Sequence, residues 1–435
     1  MSQVLRVAFH TLGCKVNQSD TATMEALFRA AGHLVVVADE AADVYIINTC
    51  VVTNIGQRKS RQMIHRLVRE HPEALIVVTG CYPQTAVEEV ENIAGVGLII
   101  GNQHREQLVT LVEKARFGES SDLSAVESIA QARDFEDLPI AALSSRTRAF
   151  LKIQEGCQQY CSYCIIPYAR GPYRSRPLAS IRREVQRLAD AGFQEIVLLG
   201  IHLGAYGRDL QGISLLDAVK TALSVPGFAR LRLGSLESVE VERGLLELMQ
   251  REPRLCRHLH LPLQAADDEV LKRMNRPYQI EDFSRLLEEA SRLVPGLAVT
   301  TDVIVGFPGE TETQFAGALT RIEQWPLAGL HVFPYSPRKG TPAASWDEQV
   351  PETVKKERAQ ALAVVDGHLR ERFNRSLIGT TQQVLFEAKT PDGLLEGLSD
   401  NYVRIRARGG DELLGQLASV RVETADAEGA FGALF

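Results

Sequence analysis

The chain has 435 residues, 45% of them hydrophobic and 24% charged, enough for ordinary packed cores and about three domains. A formal net charge of −7 excludes capture of nucleic acid by bulk positive charge, though local basic faces remain open to it. No apolar run reaches the roughly 20 residues of a bilayer span, and MSQVLRVAFHTLGC is too short and interrupted for a signal peptide, so a cytoplasmic protein with reduced thiols is expected. Seven cysteines in such a chain point to ligands or catalysis before disulfides.

In chain order, the first segment alternates apolar runs with helical patterns. VLRVAFHTLGC predicts a strand and SDTATMEALFRAAG a helix; ADVYIINTC predicts a second strand, followed by the basic helix NIGQRKSRQMIHRLVREH. ALIVVTGC is a third strand, QTAVEEVENI a short helix and GLIIGN a fourth strand. Such alternation indicates a parallel sheet covered on both faces. Cys14, Cys50 and Cys81 each lie one to three residues beyond one of the first three runs. Strand carboxyl ends in a parallel sheet share one edge, so these thiols, 36 and 31 residues apart, are expected to meet there. Three cysteines acting as small buried hydrophobes would not all fall at the same step of three repeated units.

Residues 115–147 are polar, acidic and poorly periodic, and read as a linker or surface excursion. A second alternating series follows, with strands RAFLKIQ, EIVLLGI, ARLRLGSL, HLHLPLQ, LAVTTDVIVG and GLHVFPY. Helical patterns intervene near 178–191, 214–224, 240–251, 267–293 and 311–324. Six such units predict an incomplete (β/α)6 barrel with its site at the strand carboxyl ends. A charged helix covers about 351–376, and TQQVLFEAK, YVRIRAR and ASVRVETA then predict a small all-β barrel. The expected fold class is thus α/β with a small all-β end, divided into 1–115, 116–146, 147–373 and 374–435.

Directly after the first strand of the second series stands QEGCQQYCSYCIIPYARG, with Cys157, Cys161 and Cys164 in a C-x3-C-x2-C spacing. Three thiols in one tight loop suit a 4Fe–4S cluster whose fourth iron stays open to a substrate or cofactor. A zinc site needs a recruited donor, for which His202, His258 and His260 are candidates.

The spacing resembles the radical S-adenosylmethionine (SAM) superfamily. With it, TLGCKVNQSDT, INTC, TGC, HLHLPLQ, LKRMNRPY and TDVIVGFPGET resemble the methylthiotransferase family in order and spacing along most of the chain. GCKVN looks like the tRNA branch that modifies N6-threonylcarbamoyladenosine (t6A) beside the anticodon, and the C-terminal segment resembles that family's TRAM barrel. The resemblance implies two 4Fe–4S clusters, an auxiliary one on Cys14, Cys50 and Cys81 and a radical-generating one on Cys157, Cys161 and Cys164. It implies that SAM chelates the open iron of the latter, and that one SAM methylates sulfur on the auxiliary cluster. A second SAM yields the 5′-deoxyadenosyl radical, after which methylthio replaces hydrogen at C2 of the adenine. The partners implied are the anticodon loop of tRNA, an external electron donor and a sulfur donor, with no membrane.

By the same resemblance Tyr163 lies beside the SAM adenine, Gly200 receives the methionyl amine, and Ser235, Val305 and Gly306 line the ribose and adenine pocket. Arg170, Arg174, Arg176 and Arg404 are candidate RNA contacts, alongside the basic helix that carries Arg58, Lys59, Arg61, Arg66 and Arg69. Cys256 reads as core packing. Where the family continues HLHLPLQ with Ser and Gly, this chain has Ala265 and Ala266. Two other readings stay open: a methylthiotransferase acting on another tRNA adenosine or on a ribosomal-protein aspartate, and a non-catalytic metal-stabilised RNA-binding protein.

Overall fold

The computed structural model describes residues 3–118, 124–139 and 147–435. The first sheet contains β1 (Arg6–Thr11), β2 (Leu34–Val36), β3 (Val44–Thr49), β4 (Leu75–Gly80), β5 (Leu98–Ile100) and β6 (Ser124–Ala125), all parallel, in the order β2-β1-β3-β4-β5-β6. Every residue of β3 is buried, because helices cover both faces. On one face Met24 and Phe28 of the helix Lys15–Ala30 pack with Val7, Val44 and Val77; on the other, Ile64 and Leu67 of Asn54–Glu70 pack with Tyr45, Ile47 and Val78. The edge strands β2 and β6, three and two residues long, and the helix Leu108–Arg116 lie beyond the expected series.

The segment expected to be a linker is docked against both neighbours, insofar as it falls within the described residues; 119–123 and 140–146 lie outside them. Ser124–Ala125 extends the first sheet. Glu136 accepts from the Arg105 backbone at 2.9 Å, Asp137 pairs with Arg176 at 2.9 Å, and Phe135 lies under the Arg176 guanidinium.

The second series forms β7 (Arg148–Glu155), β8 (Arg174–Ser175), β9 (Glu195–Gly200), β10 (Arg230–Leu233), β11 (His258–His260), β12 (Ala298–Val305) and β13 (Gly329–Pro334). Apart from β8, which runs antiparallel along β7, these strands are parallel in the order β7-β9-β10 and β11-β12-β13. Bridges Leu231–Leu255 and Ser235–His260 join the two groups into a partial six-stranded barrel. Leu151, Ile153, Leu198, Leu231, Leu259 and Val303 face the surrounding helices. Alternation therefore turns Phe150, Lys152, Arg232, His258, His260, Asp302, His331 and Phe333 to the interior.

The helix Glu352–Arg375 lies against β13 and leads to a closed barrel of β14 (Thr381–Lys389), β15 (Leu395–Ser399), β16 (Arg404–Ala407), β17 (Leu417–Asp426) and β18 (Gly429–Leu434). Glu195, fully buried, holds Arg230 at 2.5 Å and Arg232 at 2.8 Å. Those guanidiniums donate to the carbonyls of Gln383, Leu398, Ser399 and Asp400, fastening the small barrel beneath the large one. Tyr402 enters the same junction, stacked on His258 with ring centroids 4.7 Å apart and lying under Arg232.

Burial opposes ionisation of Glu195, but Arg232 and Arg230 outweigh it and hold the carboxyl at about 2, below its ordinary 4.5. The stability it confers is complete above about pH 4.5 and declines as pH falls towards 2. Glu195→Gln leaves two buried guanidiniums uncompensated and is expected to cost about 3–5 kcal/mol by urea unfolding. The variant should also lack this part of the acid-side loss of stability.

Candidate active site

The first three thiols converge at the edge of the first sheet. Pairing of Thr11 with Asn48 and of Thr49 with Gly80 brings the ends of β1, β3 and β4 level, and the cysteines leave from there. Asn17 fixes their loops: its Nδ2 donates to Leu12 O at 2.8 Å and Thr49 O at 3.0 Å. Asn48 ties back to Asn17 O at 2.9 Å. Gly13, at φ +105°, presses so close that a Cβ there would stand 2.9 Å from Cys50 Cβ. Arg170, completely buried, donates Nε to Cys81 Sγ at 3.3 Å and Nη2 to Asn17 Oδ1 at 2.6 Å.

The second trio sits in the loop after β7. Gly156 turns there at φ +78°, and any Cβ would strike the Pro172 carbonyl. Gln154 braces the turn by donating to Glu155 O and Gly156 O while accepting from His202 N at 2.7 Å. Cys157 N donates to Gly171 O and Cys164 N to Cys161 O, each at 2.9 Å. Arg276, from LKRMNRPY, places Nη1 3.5 Å from Cys161 Sγ and is anchored by Glu237 and Tyr278. His202 Nδ1 stands 3.4 Å from Cys157 Sγ, with Nε2 on Glu240 at 2.9 Å.

Each trio offers three free thiols, the donor type that iron–sulfur clusters take. Four thiolates around one zinc lie about 3.8 Å apart at a Zn–S length of roughly 2.3 Å. In neither trio do all three sulfurs come within 4.8 Å of one another, whereas the ligating atoms of His260, Asp302 and His331 do. The thiols nevertheless sense each other's charge: burial first, then its neighbours Cys161 and Cys157, push Cys164 up to about 12. Burial also raises Cys50, Cys81 and Cys161, against which Arg170 and Arg276 act as the nearby cations.

The other expected positions fare differently. Tyr163 meets Phe307 edge-on at 6.3 Å. Gly200 is hemmed in by Gln154 and Leu203, Ser235 is exposed at the end of β10, and Gly306 turns at φ +70° with its N–H on Glu310. Val305 corrects the expectation for its side chain, which packs in the core and leaves only backbone for a cofactor. Arg170, Arg174 and Arg176 correct the expectation of RNA contact, since all three are buried, Arg170 on Asp20 and Glu155 and Arg176 on Asp137. Arg404 is exposed and faces Glu396 at 3.6 Å. Cys256 is buried as expected; Ala265 and Ala266 are buried too. The reading of residue types missed Arg276, hidden in a quoted motif as one more surface-type arginine, and the Asp302–His331 pair, which only strand register brings together.

A three-thiol loop at the mouth of a partial (β/α)6 barrel defines a radical SAM enzyme. The radical SAM superfamily profile matches residues 151–322, and that of an uncharacterised protein family, UPF0004, matches residues 6–101. A threonylcarbamoyladenosine tRNA methylthiotransferase of Bacillus subtilis is 41% identical, covering 96% of this chain and 93% of that protein. One from Aquifex aeolicus is 35% identical over 96% of this chain and 100% of its own length. A tRNA-2-methylthio-N(6)-dimethylallyladenosine synthase of Syntrophomonas wolfei is 35% identical over 99% of this chain and 98% of its own length. Among solved structures, a radical SAM methyltransferase from Kitasatospora setae shares the fold with a TM-score of 0.59 at 15% identity, over 79% of this chain and 74% of that one. The chain belongs to the radical-SAM methylthiotransferase family. That membership implies SAM and a 4Fe–4S cluster, and among the described residues no helix is long and apolar enough to cross a membrane.

Gly156→Ala is expected to abolish 5′-deoxyadenosine formation by the reconstituted protein with a low-potential reductant, because the turn before Cys157 has no room for a Cβ. Gly192→Ala, also at positive φ but with nothing within 4 Å, should leave it intact.

Proposed function

We propose that this enzyme installs a methylthio group at C2 of t6A beside the anticodon of tRNA, using SAM and two 4Fe–4S clusters. The observation that carries the reading is the second thiol trio, Cys14, Cys50 and Cys81, tied to the radical loop through Arg170. Similarity to the Bacillus subtilis and Aquifex aeolicus proteins supports the substrate.

Cys157, Cys161 and Cys164 would hold the radical-generating cluster, and Cys14, Cys50 and Cys81 the auxiliary one. Such clusters supply one-electron cleavage of SAM and a carrier for sulfur, chemistry that no acid–base pair can apply to an aromatic C–H. The chain's own groups bind, orient and shield. Arg276 and Arg170 offset thiolate charge beside Cys161 and Cys81. Tyr163, Gly200, Ser235, Gly306 and the Val305 backbone line the SAM pocket. Tyr402, with Arg232 and His258, closes the chamber floor against water. The balance of the reaction requires an external electron donor and a sulfur donor.

Residues 1–115 serve as the auxiliary-cluster domain, 116–146 as the connector, 147–373 as the radical-SAM core and 374–435 as an RNA-binding barrel. That barrel carries five Lys/Arg against nine Asp/Glu from residue 376 on. Arg404 and Arg408 are its exposed cations in the β16 region, and shape outweighs charge in its grip. An anticodon loop is already unpaired, so presenting the base costs on the order of a few kcal/mol or less.

Two measurements test the reading. Mass spectrometry of tRNA nucleosides should show methylthio-t6A lost, and t6A retained, in cells lacking the protein; loss of a methylthio-dimethylallyladenosine instead would move it to the other branch. Anaerobic reconstitution should give about eight irons per chain. Replacing Cys157, Cys161 and Cys164 by Ala should leave about four and end SAM cleavage.

A further inference from the structure

The inner face of β11, β12 and β13 carries groups that cluster binding does not use. Register pairs His260 with Thr300 and Asp302 with His331, so one inner face presents His260, Asp302, His331 and, two residues on, Phe333. Asp302 Oδ1 accepts from His260 at 3.2 Å and from His331 at 3.1 Å, which leaves Oδ2 as a further acceptor. Phe333 is 45% exposed, an aromatic face left bare inside the barrel. From the other side comes Lys15, exposed and next to Cys14. Its Nζ stands 3.4 Å from Tyr402 Oη, and among the described residues no carboxylate pairs with it. Tyr402 in turn stacks on His258 at 4.7 Å, and His258 and His260 share Thr300 Oγ1 at 3.2 and 2.9 Å, so contacts run unbroken from Lys15 to Asp302. The helix begun by Lys15 has no side-chain cap, and its amino end adds positive potential there.

We propose that this space is the subsite for the threonylcarbamoyl side chain, with the Lys15 ammonium binding its carboxylate, Asp302 accepting from its hydroxyl or ureido N–H, and Phe333 stacking on the base. The inference rests on t6A being the substrate. A threonylcarbamoyl group offers an anion, a hydroxyl and N–H donors, whereas a dimethylallyl group offers none. A chamber holding an ammonium without a carboxylate partner and a free carboxylate oxygen therefore selects the first and rejects the second, since the apolar group would leave both unmatched. Aromatic stacking on Phe333 serves either base equally and sets affinity without choosing between them.

The test uses the anaerobically reconstituted full-length enzyme and anticodon stem-loops carrying t6A, the methyl ester of t6A, or plain adenosine. Binding is read by fluorescence anisotropy at fixed salt, and methylthiolated product by mass spectrometry. Wild type should bind the free acid about tenfold or more tighter than the ester, the fold-change of one charge-assisted hydrogen bond. Lys15→Gln should bind the two alike, and Lys15→Arg should recover most of the preference. Product formation by wild type together with an undiminished acid-over-ester preference in Lys15→Gln would overturn the subsite while leaving the substrate in place. No product from the t6A loop, and no preference for it over plain adenosine, would overturn the substrate and with it the subsite.

Discussion

Six charged side chains, five of them buried and Glu136 partly so, hold the two halves of the site together. Asp20, from the helix that follows Cys14, binds Lys152 of β7 and, at 2.8 Å, Arg170 from just beyond the radical loop. Glu155 at the end of β7 binds Lys152 at 2.5 Å and Arg170 at 3.2 Å, and Arg105 with Glu136 closes the network from the first sheet and the connector. Three cations face three carboxylates, so the group is neutral as a whole while each member depends on the others. Deleting one leaves a bare buried charge at about 3–5 kcal/mol, more than most single contacts contribute. This network ties the helix after Cys14 to the strand and loop that carry the second trio.

Much of this was legible from residue order alone. Apolar runs located the strands of both series, and the position of Cys14, Cys50 and Cys81 at successive strand ends implied their convergence before any coordinates. The arginines misled for an instructive reason. In sequence, Arg170, Arg174 and Arg176 look like a basic surface loop. Their partners Asp20, Glu155 and Asp137 stand up to 150 residues away and become visible only once helix and strand have packed. The connector misled in the same way, since its Glu136 and Asp137 answer the buried Arg105 and Arg176. The shortest strands, β2 and β6, carry too few residues for any period to register.

The two thiol sites share a plan. Each has a buried guanidinium within hydrogen-bonding reach of one sulfur, Arg170 at Cys81 and Arg276 at Cys161. Burial raises the cost of a thiolate, and a fixed cation lowers it again without giving up a protein ligand. Each trio can thereby remain one ligand short. On the function proposed above, the open positions face the barrel interior, where Lys15, Asp302 and Phe333 would supply charge, acceptor and stacking face. Tyr402 enters from the C-terminal barrel, stacked on His258 and under Arg232, so that barrel helps to form the chamber.

The central claim is that two three-thiolate sites, held in register by the Asp20–Arg170–Glu155 network, open onto one chamber. An anaerobic crystal structure of the reconstituted enzyme with SAM tests it most directly. The account predicts one four-iron cluster on each trio, neither with a fourth protein ligand, and both unliganded irons turned towards Lys15 and Phe333. A single zinc ion on either trio, or a second cluster opening to the outer surface, would contradict it.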